Sequence, residues 1–114
     1  MPSPSLRDDG HEVTLDLHGA TVDEAERLIR RTARLAAGRG RSRLTVVHGT
    51  STSSRLYRNR TIRHALYELL DGGALAPHVT DALRLEGYCL LGLAPGPTDP
   101  RRLSIRDVTD GQGM

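Results

Sequence analysis

From Glu12 onward, apolar and polar residues alternate, with Val13, Leu15 and Leu17 on one side and Thr14, Asp16 and His18 on the other. That is the period of a half-buried strand. Thr21-Val22-Asp23-Glu24 follows with the spacing of a capping box, Thr21 as N-cap and Glu24 three residues on. The helix it opens should turn Val22, Ala25, Ile29, Thr32, Ala33 and Ala36 inward, flanked by Leu28 and Leu35, until Gly38 and Gly40 stop it. Arg43 to Val47 reads as a second strand. The polar stretch Gly49 to Ser54 reads as a loop ending in a cap. A second helix then presents Leu56, Ile62, Ala65, Leu66, Leu69 and Leu70 on one side and ends at Asp71-Gly72-Gly73. Val79 to Leu85 and Tyr88 to Leu93, separated by Glu86-Gly87, read as a hairpin.

The predicted fold class is therefore α/β, in the order β-α-β-α-β-β. Two helices are too few to cover both faces of a four-stranded sheet, so one face stays open. A right-handed crossover makes the first two strands parallel and brings His18-Gly19 and His48-Gly49 to one sheet edge, the edge at which ligands bind in open α/β sheets. Residues 1–11, with Pro2 and Pro4, read as a flexible arm, and residues 12–95 as the domain. Residues 96–114 read as a disordered tail, in which the weak alternation of Leu103 to Val108 suggests at most an edge strand.

A chain of 114 residues has room for one core. With 37% hydrophobic and 26% charged residues, it has the composition of a soluble globular protein. All 16 basic residues are Arg, yet the formal charge is only +2, too small to demand a polyanionic partner. Arg27, Arg30, Arg31 and Arg34 fall on one helix face, readable as a solvated surface or as a ridge that tracks phosphates. With no Phe or Trp, only Tyr57, Tyr67 and Tyr88 are available to stack on bases. The single cysteine, Cys89, and the lack of a leader or an apolar run of membrane length point to the cytoplasm and away from membranes.

The shared edge has the parts of an anion site. Gly19 and Gly49 allow close approach to the main chain, and Thr50 and Ser51 add hydroxyl donors near a helix start. Arg41, Arg43, Arg55, Arg58 and Arg84 are candidates to position phosphates, each with a solvated surface role as the alternative. Histidine moves protons near neutral pH, so His18 and His48 are candidates for general base and acid at a phosphodiester. Asp16, about 6 to 7 Å from His18 by strand rise, would orient that ring or recruit a divalent cation such as magnesium. The competing reading has both His-Gly pairs simply closing turns. His11, His64 and His78 have no comparable setting.

On these residues, the chain resembles the Smr (small MutS-related) domain family, as a stand-alone member. The resemblance rests on Leu15-Asp16-Leu17-His18-Gly19, Glu24-Ala25, Val46-Val47-His48-Gly49 and the closing hairpin. It implies a two-layer β-α-β-α-β-β sandwich, a four-stranded mixed sheet with two helices on one face, similar to the C-terminal domain of bacterial translation initiation factor three. It also implies an endonuclease that nicks DNA or cuts RNA, some members acting on messages in stalled ribosomes, with Asp16 and His18 as the activity-bearing pair. The family's second motif ends in glycine where this chain has Ser51. That departure keeps open a non-catalytic module binding RNA, DNA or the ribosome, and leaves oligomeric state open, a monomer being sufficient.

Overall fold

Two runs of alternating residues, joined by a helix long enough to cross over, dictate a parallel pair. In the computed structural model, which describes residues 3–49 and 61–109, they form it. The elements in chain order are β1 (Ser5–Asp8), β2 (Glu12–Asp16), α1 (Val22–Gly38), β3 (Arg43–Val47), α2 (Ile62–Asp71), β4 (Val79–Arg84), β5 (Tyr88–Leu93) and α3 (Ile105–Thr109). β2 and β3 run parallel with Asp16 opposite Val47, and β5 and β4 continue the sheet antiparallel in the order β1-β2-β3-β5-β4. Val13 and Leu15, Leu44 and Val46, and Cys89, Leu91 and Leu93 share the buried face. Ala25, Leu28, Ile29, Ala33 and Ala36 of α1 and Leu66 and Leu69 of α2 pack onto it. The opposite face carries Thr14, Thr45, Leu90 and Leu83 and is uncovered by any described element.

The helix boundaries follow local chemistry. Thr21 Oγ1 accepts from the Glu24 amide at 3.1 Å while the Thr21 amide donates to Glu24 Oε1 at 2.9 Å, the reciprocal cap expected from sequence. α2 runs from Ile62 behind an N-cap Thr61. Leu56 lies outside the described residues.

The sheet has five strands rather than four. The fifth comes from the arm expected to be flexible, where Ser5–Asp8 pairs antiparallel with β2. The described part of the tail forms the short helix α3 instead of an edge strand, with Leu103 and Val108 buried in the main core. One buried ion pair accounts for both differences. Arg41 Nε donates to Asp8 Oδ1 at 2.8 Å, and its other nitrogens donate to the carbonyls of Arg39, Asp99 and Arg101. Asp8 in turn accepts from the amides of Gly10 and Leu103. Gly40 completes the clamp, since at φ +74 a Cβ there would sit 2.4 Å from the Pro97 carbonyl oxygen.

Arg41 is therefore corrected as a phosphate contact. At 1% exposure it has no surface to offer a ligand. Burial alone would raise the Asp8 pKa, but the hydrogen bonds from Arg41, Leu103 and Gly10 outweigh it and hold the carboxyl below its usual range.

Candidate nucleic-acid site at the sheet rim

β2 and β3 end level with each other, and the Leu17 amide donates to the Val47 carbonyl at 3.0 Å, so both His-Gly pairs leave the sheet at one rim. After Asp16 the chain turns instead of continuing as a strand. Asp16 Oδ1 accepts from the His18 amide at 3.0 Å and contacts His18 Nδ1 at 2.6 Å. The strand-rise distance expected between these side chains is thus replaced by direct contact. Burial would raise the Asp16 pKa, but the two His18 hydrogen bonds and the imidazole's charge bring it below the usual carboxylate range. An ionised carboxylate only accepts, so Nδ1 carries a proton at this contact and Nε2 is the nitrogen left to exchange one. That ring is 62% exposed.

Gly19 and Gly49 both take positive φ, +86° and +75°. A Cβ on Gly49 would lie 4.0 Å from His18 Nε2, so the second motif's backbone faces the first motif's free nitrogen. The hairpin supports this placement, because the Gly87 carbonyl accepts from the amides of His48 and Gly49 at 3.0 and 2.8 Å. Sequence reading assigned Glu86-Gly87 only a turn. Its role as a brace depends on β5 lying next to β3, which no local signal announces.

His48 sits differently from His18. Its Nδ1 is 2.8 Å from the Gly49 carbonyl oxygen, its ring meets Tyr67 edge to face at 6.4 Å, and its Nε2 is buried with no hydrogen-bond partner among the described residues. Burial lowers its pKa, with the Gly49 carbonyl opposing and Arg63 adding to the shift. A neutral ring with a buried lone pair is badly placed to protonate a leaving group.

Of the candidate arginines, Arg43 lies on the open face 3.6 Å from Glu12. Arg84, expected on the open face, is on the helix side. Its register partner is the core residue Cys89, its guanidinium stacks 4.5 Å over Tyr67, and it bonds Asp71 at 2.5 Å. Thr50, Ser51, Arg55 and Arg58 fall outside the described residues. Among the described residues no group of three or more His, Cys, Asp or Glu side chains is gathered to hold a metal ion. No described helix is long and apolar enough to cross a membrane.

The model of the Smr domain matches residues 15–91, from the first motif to the middle of β5. The chain belongs to the Smr domain family. Searches of curated proteins and of solved structures found no match. Smr domains are associated with nuclease and nucleic-acid-binding activity. In this Smr domain the matched span contains the whole rim, with Asp16, His18, His48, Gly49 and Gly87. The clamp that binds Ser5–Asp8 and residues 99–103 lies largely outside it.

Proposed function

We propose that this Smr domain is an endonuclease acting on RNA or DNA, with Asp16 and His18 as its proton-transfer pair. The observation that carries the reading is the 2.6 Å contact between Asp16 and an exposed His18 whose Nε2 faces Gly49. Asp16 fixes the tautomer and orientation of the ring, and Nε2 serves as the base, a division of labour that recurs in hydrolytic sites. On RNA, Nε2 takes the proton of a 2′-hydroxyl, and that oxygen attacks the adjacent phosphorus. The bond to the 5′-oxygen breaks, leaving a cyclic phosphate on one fragment and, after protonation by water, a 5′-hydroxyl on the other. On DNA the same nitrogen deprotonates water, whose oxygen attacks the phosphorus as one of the two ester P–O bonds breaks, and the departing sugar oxygen takes its proton from water, leaving a phosphate on one fragment and a hydroxyl on the other.

Gly49 and Gly19 give the phosphate room at the main chain, and Thr50 and Ser51 follow as hydroxyl donors. His48 is a positioning residue in this scheme, holding the Gly49 peptide. Arg43, Arg55 and Arg58 supply charge along the strand. A magnesium ion, where one takes part, would find the Asp16 carboxylate at the rim as its protein ligand and would neutralise phosphate charge.

The test compares wild type with Asp16→Ala and His18→Ala on end-labelled structured RNA and on supercoiled plasmid, with magnesium and with chelator. Cutting is expected to fall by about 10²- to 10⁴-fold in both variants, the range for losing a proton-transfer group. Products unchanged in the variants would sink the assignment. Binding without cutting in wild type itself would establish the docking-module reading instead. A cyclic phosphate end on the RNA product marks the 2′-hydroxyl route.

A further inference from the structure

The arginine row of α1 has no part in the rim chemistry. Arg30, Arg31 and Arg34 form one wall of an open-sided cavity of about 300 Å³, bounded on the other side by Ala74, Leu75 and His78 from the segment between α2 and β4. None of the six lining residues is acidic. Arg30 and Arg34 are exposed and make no ion pair with any described residue. Arg31 is half-buried, with Nη1 3.5 Å from the Val108 carbonyl oxygen. Two exposed guanidinium groups, those of Arg30 and Arg34, share one space with the His78 imidazole, and an anion in that space would meet positive charge from both sides.

The fork of a guanidinium matches phosphate oxygens in pairs. The volume is at the lower end of ligand pockets, enough for a phosphate with its attached sugar. The cavity is separate from the rim. The N-cap of α1, Thr21, lies three residues after His18, and at 1.5 Å per residue Arg30 and Arg34 lie about 14 and 20 Å farther along the helix axis.

We propose that this cavity is a second phosphate site, holding a backbone phosphate of a nucleic-acid strand whose other end lies at the rim. The assignment rests on nucleic acid being the ligand of this Smr domain, and does not require that the rim cut it.

Binding of a labelled single-stranded RNA oligonucleotide is measured by fluorescence anisotropy across a salt series, in a His18→Ala background so that cleavage cannot deplete the probe. Arg30→Gln with Arg34→Gln is compared with Arg27→Gln plus Arg106→Gln, which removes the same charge from exposed positions outside this cavity. Thermal melting checks that each variant is folded. The cavity variant is expected to bind about tenfold more weakly at low salt. Its slope of log affinity on log salt should be shallower by about 0.7 for each phosphate that the variant no longer neutralises. Arg30→Lys with Arg34→Lys should recover most of the slope.

An unchanged affinity and slope would overturn the site, and equal losses in the matched-charge control would replace it with a diffuse field. A second arm titrates inorganic pyrophosphate while the His78 ring is followed by NMR. Saturable pyrophosphate binding that the cavity variant loses, with oligonucleotide affinity unaltered, would assign the cavity to a free phosphorylated molecule and overturn the backbone assignment.

Discussion

Gly49 is the residue on which the two motifs of the rim depend together. Its φ of +75° lies where a Cβ is strained, while the space beside His18 Nε2 would accept one at 4.0 Å. Gly49→Ala should therefore cost about 1 to 2 kcal/mol from the backbone alone. It should also turn the peptide that faces His18, lowering cleavage by more than the stability loss explains. Chemical denaturation and cleavage rates on the same preparation separate the two effects. At this scale sequence was a good guide to Asp16 and His18, since strand alternation and a following glycine placed both at a strand end. It was a poor guide to the fates of Arg41 and His48. Arginine in a polar, glycine-rich linker reads as surface, and only the return of the tail buries it. His48 has the same neighbour in sequence as His18, but the Gly87 turn holds its backbone and Tyr67 meets its ring, and those are long-range contacts.

The elements show the same division between local and distant causes. Both helix α1 and the hairpin β4–β5 were visible in advance because cap, periodicity and turn residues agree within a few positions of each other. Thr21→Ala should remove the reciprocal cap, cost about 0.5 to 2 kcal/mol and be read as a lower denaturation midpoint. β1 and α3 were hidden because each is too short to carry its own pattern and is held by the Asp8–Arg41 clamp rather than by periodicity. Arg41→Ala leaves Asp8 buried and unpaired, and should destabilise by about 3 to 5 kcal/mol. Asp8→Leu combined with Arg41→Met strands no charge but takes the partners from two amides and three carbonyls, so it should still destabilise, by less than the sum of the two single changes, and a double-mutant cycle by denaturant unfolding checks this.

For the molecule as a whole, the clamp is one of the sites that make stability fall in acid, beside Asp9, Asp16 and Asp99, whose carboxyls are also held below their ordinary range. A carboxyl held below its ordinary pKa contributes stability that is present above the unfolded value and lost as pH falls through the folded one. Unfolding free energy should therefore decline below about pH 4, where unfolded aspartates begin to take up protons. The decline should be shallower in the Asp8→Leu, Arg41→Met pair, and urea titrations at stepped pH measure both slopes.

Register places Asp8 beside Val13 and Ser5 beside Asp16, so the clamp closes the end of the sheet away from the rim. Robustness and reactivity are thus written into opposite ends of a small scaffold. An engineer could harden one end, shortening the loops that the ion pair gathers, and leave the other chemically untouched.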